Sequence, residues 1–532
     1  MRVKGTVKEK AVTPSSAHQS PDEPGGIGFA ERRVAVSSSF MSNSSSERIV
    51  SAVRDWIATA PAGAQLPSTR RLVEQFEASP VTVQKALRTL IGEGLIESRP
   101  GVGTFVRSVR TARPSDYSWQ TAALGSPRHT MALPLSALRT ASNDVIALHS
   151  GYPDKELLPE RLVRAAFGRA GRSEAAVSRP PAAGLPALQS WFAAELGSLT
   201  PPGLTAPNAS DAVVLPGSQN GLSTLFRTLV GAGNPLLVES PTYWGALLAA
   251  AQVGVQLVPV PSGPSGPDPA DLDRAFEQTG ARAFYAQPNF ANPTGAQWSP
   301  ELGETVLGII RDRGAFLIED DWAHDFGITA QSLPLAARDD NGHVVYIRSL
   351  TKSVSPAVRV AGLIARGPAL DRIRADSQAQ AMYVSGVLQS VALDVVTDPG
   401  WKTHLRNLRQ HLTARRDLLA AALREHVPEA HLEALPRGGL NLWLQLPDGT
   451  NMGTLARECE SRGVMVAAGD DWFPAEPAGR FSASTTPGLL PTASLRPHGL
   501  SGKHLGTVSV RASRMAGGNQ KGPGSHTGIR TF

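Results

Sequence analysis

One lysine, Lys352, stands in the stretch SLTKSVSPAVRVAG (349–362) among small hydroxyl residues, with Arg359 seven positions further on. A lysine amine does carbonyl chemistry by forming a Schiff base, and hydroxyls with a guanidinium suit a phosphate group. Pyridoxal phosphate is one ligand that makes both demands. It asks for more: backbone N–H groups at a helix start for the phosphate, a carboxylate that keeps the pyridine nitrogen protonated, an aromatic face for the ring, and a donor to the 3-oxygen.

The chain offers a candidate for each demand, in order. LPGSQNGLSTLF places a glycine at a strand end before Ser218 and Gln219, a phosphate seat that as a lone motif is also a common strand-to-helix turn. ESPTYWGAL puts Tyr243 at the next strand end, where its ring could stack on a flat ligand or simply fill the core. QPNFANPTGAQWS holds Asn292 in a tight turn, its amide available to the 3-oxygen. FLIEDDWAHDFG sets Asp320 after three apolar residues at the carboxyl end of a central strand, where burial without a partner would be costly. SLTK then supplies Ser349, Thr351 and Lys352. Five such matches in fixed order carry more than any one of them.

The elements that must position these residues are short apolar runs, AVVLP, PLLVES, QLVPVP, AFYAQP, AFLIED, VVYIRS and GLIARG, alternating with helical segments from about 143 to 481. That alternation predicts an α/β domain with a mostly parallel central sheet. Ahead of it, residues 47–109 read as short helices and a hairpin. SERIVSAVRDWIAT has apolar residues at 49, 53, 56 and 57 with Ser46 as cap, and LPSTRRLVEQF starts at Ser68 with Leu72, Val73 and Phe76 inward. In SPVTVQKALRTLIGEG, capped by Ser79 with Pro80 first, Val83, Leu87 and Leu90 face the core. Thr82, Gln84, Lys85 and Arg88 point outward, which suits either a DNA major groove or plain solvent. Residues 110–142 read as a linker.

The two ends differ from the rest. Residues 1–46 are rich in Ser, Pro and Gly without apolar period and read as disordered, with Met41 as an alternative start. Residues 482–532 contain six basic residues and no acid, either a basic disordered tail or out-of-frame sequence. Removing 1–40 and 482–532 from the totals of 52 basic and 46 acidic residues leaves 40 and 42, so the net charge of +6 belongs to the ends. Bulk basicity therefore carries no argument for DNA binding. A lone cysteine, Cys459, excludes an internal disulfide framework and fits the cytoplasm, and no apolar run is long enough to span a bilayer.

Taken whole, LPSTRRL, TVQKALRTL and EGLIESRPGVGTFV resemble the winged helix-turn-helix of the GntR family. The resemblance implies that Arg70 meets a phosphate, that Thr82, Gln84, Lys85 and Arg88 form the recognition surface, and that Gly101 and Gly103 shape the wing. The motifs of the larger domain resemble the fold-type I aminotransferases, and the two joined by a linker resemble the MocR subfamily of bacterial regulators. This implies pyridoxal phosphate held on Lys352, with Asp320 at the ring nitrogen, Asn292 near the 3-oxygen and Tyr243 over the ring. Ser218, Gln219, Ser349 and Arg359 take the phosphate. It further implies a homodimer on a double-stranded operator, responding to a small amino compound. Two alternatives stay open: a working aminotransferase, and a cofactor-free dimerisation scaffold. No metal ligand set is expected. Three departures stand out. Pro80 replaces a basic residue common at that point. The tyrosine expected two or three residues after the aspartate is replaced by Trp322 and Ala323. The carboxylate-pairing arginine expected in a strand shortly after AGRF is missing together with that strand, Arg480 and Arg496 being poor candidates by position.

Overall fold

The computed structural model describes residues 45–107, 118–124, 139–141, 145–477 and 479–485, together with strands at 494–497, 508–511 and 530–531. The expectations for 1–44, for most of the linker and for the rest of 482–532 fall outside the described residues. The chain divides into two compact units, Met1–Gly125 and Ser126–Phe532.

In the first unit, α1 (Ser45–Thr59), α2 (Thr69–Phe76) and α3 (Pro80–Gly92) precede a hairpin of β1 (Ile96–Arg99) and β2 (Gly103–Val106). Ile49, Val53, Leu72, Val83, Leu87, Leu90, Ile96 and Val106 form one core, so each helix buries the face its apolar spacing predicts. Ser68 accepts from Arg71 N and Ser79 from Thr82 N, closing the starts of α2 and α3. Ser46 is not a cap: it lies inside α1, buried. The hairpin pairs Ile96 with Val106 through Arg99 with Gly103, and Leu66 N donates to Thr104 O, adding the stretch before α2 to its edge.

The second unit begins with β3 (Ile146–Ala147) and is organised by β4 (Ala212–Leu215), β5 (Pro235–Ser240), β6 (Gln256–Gly263), β7 (Gly266–Pro267), β8 (Ala283–Ala286), β9 (Phe316–Asp321), β10 (Val344–Ser349) and β11 (Ala361–Ile364). These last eight form one sheet in the order β4-β11-β10-β9-β8-β5-β6-β7. From β10 to β6 every pairing is parallel, while β11 runs against both neighbours. Both faces are covered: Val213 and Leu215 pack with Leu222 and Phe226, whereas Val214 between them packs with Leu188, Phe192 and Val391. Burial on two faces is why these strands read as unbroken apolar runs.

A smaller antiparallel sheet follows, with β12 (His431–Leu432), β13 (Asn441–Leu446), β15 (Ala467–Ala468) and β16 (Arg480–Thr485) in the order β12-β13-β16-β15, while β14 (Val464–Met465) pairs with β3. The strand expected after AGRF is therefore present. It pairs with β13 from Leu446–Arg480 to Asn441–Thr485, and Phe481 stacks on Trp443 at 5.0 Å. The aromatic anchor and the serines that alternate with it are enough to hold the strand without the sequence pattern anticipated there. It carries no arginine beyond Arg480, whose nearest acid is Asp470 at 3.9 Å. No helix among the described residues is long and apolar enough to cross a membrane.

Candidate functional site

The parallel strands deliver their carboxyl ends to one crevice, the place where open α/β sheets bind ligands. Ser218 opens the helix Ser218–Leu225 just past β4, Tyr243 follows β5, Gln287 follows β8, Asp320 sits near the end of β9 and Ser349 ends β10. Parallel register sets Asp320 beside Ile347, two residues before Ser349. The result is a cavity of about 400 Å3 lined by Ser218, Gln219, Tyr243, Asn292, Asp320, Ser349, Lys352 and Arg359. Tyr152, Trp244, Leu248, Gln287, Trp322, Thr351 and Pro356 complete its wall.

Lys352 Nζ lies 4.0 Å from the centre of the Trp322 ring and 6.0 Å from that of Tyr243. Burial pushes its pKa down to about 8, the nearby Arg359 guanidinium adds to the drop, and the Asp320 carboxylate opposes it. Asp320 is almost wholly buried. Its Oδ2 accepts from Tyr285 Oη at 3.0 Å and from Gln287 Nε2 at 2.9 Å. Burial raises its pKa, against the pull of those two donors and of Lys352.

The phosphate end is built around Gly217, whose φ of +95° turns the chain from β4 into the helix. A Cβ there would lie 2.8 Å from Arg359 Nη2, so the absence of a side chain lets the guanidinium close on the helix start. Gln219 is committed to structure, donating to Gly245 O at 2.7 Å and accepting from Tyr243 Oη at 3.3 Å. The bond holds the Tyr243 ring in the cavity wall. Ser349 Oγ accepts from Thr351 N at 3.3 Å. Asn292 Oδ1 accepts from Trp472 Nε1 at 2.9 Å, which leaves the amide nitrogen as the end free to donate to a ligand.

Whether these residues fit pyridoxal phosphate is tested by the polar atoms they leave over. Asp320 Oδ1, Thr351 Oγ1 and Trp322 Nε1 are buried with no hydrogen-bond partner among the described residues. An unpaired carboxylate oxygen, an unpaired hydroxyl and an unpaired indole N–H around an amine are costly in a dry core. They match a ligand with a protonated ring nitrogen, a phosphate and an oxygen substituent. The donor set fits the group.

Several residues in the wall or behind it were not singled out by the sequence. Gln287 and Tyr285 belong to an apolar strand and its end, and Trp472 lies some 180 positions from the amide it holds. Tyr152 lies far upstream of Lys352 in the chain and joins the cavity only through the fold.

In the first unit Gln84, Lys85 and Arg88 are exposed along one face of α3, while Thr82 is half-buried with its hydroxyl 2.8 Å from Ser79 Oγ. Arg70 projects from α2 with a side chain 91% exposed, and meets Glu74 at 3.4 Å. Gly101 (φ +74°) and Gly103 (φ +142°) turn the hairpin, and Gln65, packed against Gly103, donates to Val102 O at 3.0 Å. A basic helix face and a hairpin tip thus share this unit.

Residues 143–493 match the family Aminotransferase class I and II, and residues 45–106 match Bacterial regulatory proteins, gntR family. The chain is 26% identical over 417 residues to the HTH-type transcriptional regulator YdfD of Bacillus subtilis, spanning 77% of this chain and 85% of that protein. It is 27% identical over 383 residues to the probable rhizopine catabolism regulatory protein MocR of Rhizobium meliloti, spanning 69% and 74% respectively. Among solved structures it is similar to LysN, an alpha-aminoadipate aminotransferase of Thermus thermophilus complexed with N-(5'-phosphopyridoxyl)-L-leucine. The TM-score is 0.60 at 23% identity, covering 69% of this chain and 93% of that one. That likeness establishes the fold.

Proposed function

We propose that this chain, which belongs to the aminotransferase class I and II family and carries a gntR-type helix-turn-helix region ahead of it, is a transcription regulator that senses an amino compound through pyridoxal phosphate. The observation that carries the reading is the convergence of Lys352 and Arg359, from one stretch after β10, with Asp320 of β9 on one cavity.

When bound, pyridoxal phosphate supplies an aldehyde that reacts reversibly with amines. Lys352 Nζ would be the amine that holds it. Asp320 would hold the ring nitrogen protonated, and Asn292 would donate to the ring oxygen, with the Trp322 N–H standing in for the missing phenol. Tyr243 covers one ring face. Ser218, Ser349 and Arg359 bind the phosphate at the helix start, and Gln219 orients Tyr243. Thr82, Gln84, Lys85 and Arg88 read the operator, Arg70 meets a phosphate, and the wing shaped by Gly101 and Gly103 flanks it. A homodimer in the cytoplasm would present two such heads to repeated half-sites. Effector control requires only that the amine bind the DNA-competent and incompetent states with different affinity.

The test is a purified full-length protein with cofactor. A visible absorption band that borohydride bleaches, absent in Lys352→Ala, and an operator affinity that changes on adding amines support the reading. A colourless protein that still binds its operator overturns it. A second reading, catalytic transamination, is favoured by the lowered pKa of Lys352, which a proton-shuttling base needs. Sustained keto-acid production from an amino acid and 2-oxoglutarate would select it.

A further inference from the structure

Gln287 opens the QPNFANPTGAQWS stretch, where only Asn292 suggests chemistry, yet Asp320, Asn292 and the end of β5 all meet on it. The residue is buried and follows β8. Its Nε2 donates to Asp320 Oδ2 at 2.9 Å, its Oε1 accepts from Asn292 N at 2.8 Å, and its own N donates to Glu239 Oε2 at 3.1 Å. Glu239 is in turn fixed by Ser262 Oγ at 2.9 Å and Trp298 Nε1 at 3.3 Å.

The consequence lies in which oxygen of Asp320 is left over. Gln287 and Tyr285 both spend their donors on Oδ2, so Oδ1 alone is left buried without a partner among the described residues. A carboxylate free to rotate about its last bond would share its donors between both oxygens and present neither. With two donors on one side, the other oxygen is aimed and keeps its charge for the ligand. A donor on the carboxylate also favours the ionised form against the burial that opposes it.

We propose that Gln287 is a positioning residue for the cofactor: it orients Asp320 while tying it to the turn that carries Asn292, so that the groups for the ring nitrogen and the ring oxygen form one hydrogen-bonded unit. This rests on the cofactor reading above. The side chain acts on the ligand through Asp320 and Asn292 rather than by contact.

Two substitutions in the full-length protein separate the roles. Gln287→Met keeps length and removes both side-chain bonds. Gln287→Glu keeps an acceptor for Asn292 N and replaces the donor to Asp320 with a carboxyl. The introduced carboxyl would face Asp320, with Tyr285 and Glu239 the other titratable groups packed there and Lys352 and Arg359 across the cavity. It donates to Asp320 only while protonated. Affinity for pyridoxal phosphate is read from the visible band on titrating apo protein, across a pH series, with the melting temperature and DNA binding as controls for folding.

Expected is a loss of about tenfold or more in cofactor affinity for Gln287→Met at every pH, the scale of one hydrogen bond to a charged group. For Gln287→Glu the loss should grow as pH rises and the shared proton leaves. If Gln287→Glu matches wild type at all pH values while Gln287→Met is weak, the residue merely holds the turn and the proposal fails. If both variants retain wild-type affinity it also fails. A colourless wild type defeats instead the cofactor reading on which this rests.

Discussion

Uptake of pyridoxal phosphate by the apo protein should follow the titration of Lys352 rather than that of an ordinary lysine. Only the uncharged amine attacks a carbonyl. Burial lowers the pKa of Lys352 from 10.5 to about 8. At pH 7 an amine titrating at 10.5 is neutral in about one molecule in 3000, and one titrating at about 8 in about one in eleven, a gain of about 300-fold in reactive form. The sign of each neighbour follows. Asp320 favours the ammonium, so Asp320→Asn should move the midpoint down. Arg359 disfavours it, so Arg359→Met should move the midpoint up towards that of a free lysine. The assay is the rate at which the visible band forms after mixing apo protein with cofactor, from about pH 6 to about pH 11, where both midpoints fall within range. Lys352→Ala should abolish the band. A rate that climbs steadily to a midpoint near 10.5, or one that ignores both neighbours, would refute the claim that the cavity desolvates this amine.

Three further outcomes follow from the same geometry. Gly217→Val places a Cβ against Arg359 at a φ of +95° and should weaken cofactor binding by about tenfold or more while leaving DNA binding intact, read by titrating the visible band. Arg70→Ala should lower the slope of log affinity against log salt by about one, measured by anisotropy on labelled operator, and an unchanged slope would remove that side chain from the phosphate contacts. Arg348 is buried with Asp325 at 3.0 Å and Glu195 at 3.1 Å, and stands over the Trp191 ring. Arg348→Met strands the buried Asp325 and should destabilise the fold by about 3–5 kcal/mol in denaturant titration.

Local signals were legible where local physics decides. Ser68 and Ser79 cap their helices because a hydroxyl next to free N–H groups needs no tertiary help, and Pro80 follows because the first helical N–H is unpaired anyway. Seven apolar runs became seven strands of the main sheet: six are buried along nearly their whole length, which leaves a strand little freedom of composition, while β6 is mostly exposed or half-buried. All eight expected cofactor residues line one cavity because the carboxyl ends of parallel strands meet by topology. What stayed hidden depends on distant partners. Gln287 is an unremarked amide until Asp320 and Asn292 are folded against it. Trp472 looks like a core aromatic until its N–H meets Asn292. Strand β16 was missed because its only large apolar residue, Phe481, makes its case through Trp443 on the neighbouring strand. Ser46 has the residue type of a cap, but α1 begins one residue earlier and takes it inside.

The indoles around the cavity have an optical consequence. Trp244 and Trp322 stand in its wall and Trp472 grips Asn292 behind it, so three fluorophores lie within energy-transfer distance of any chromophore seated over Lys352. Their ultraviolet emission overlaps the absorption of a bound pyridoxal, and filling the pocket should dim the protein's own glow. The molecule thereby carries a built-in gauge of its occupancy, readable without dye, label or DNA.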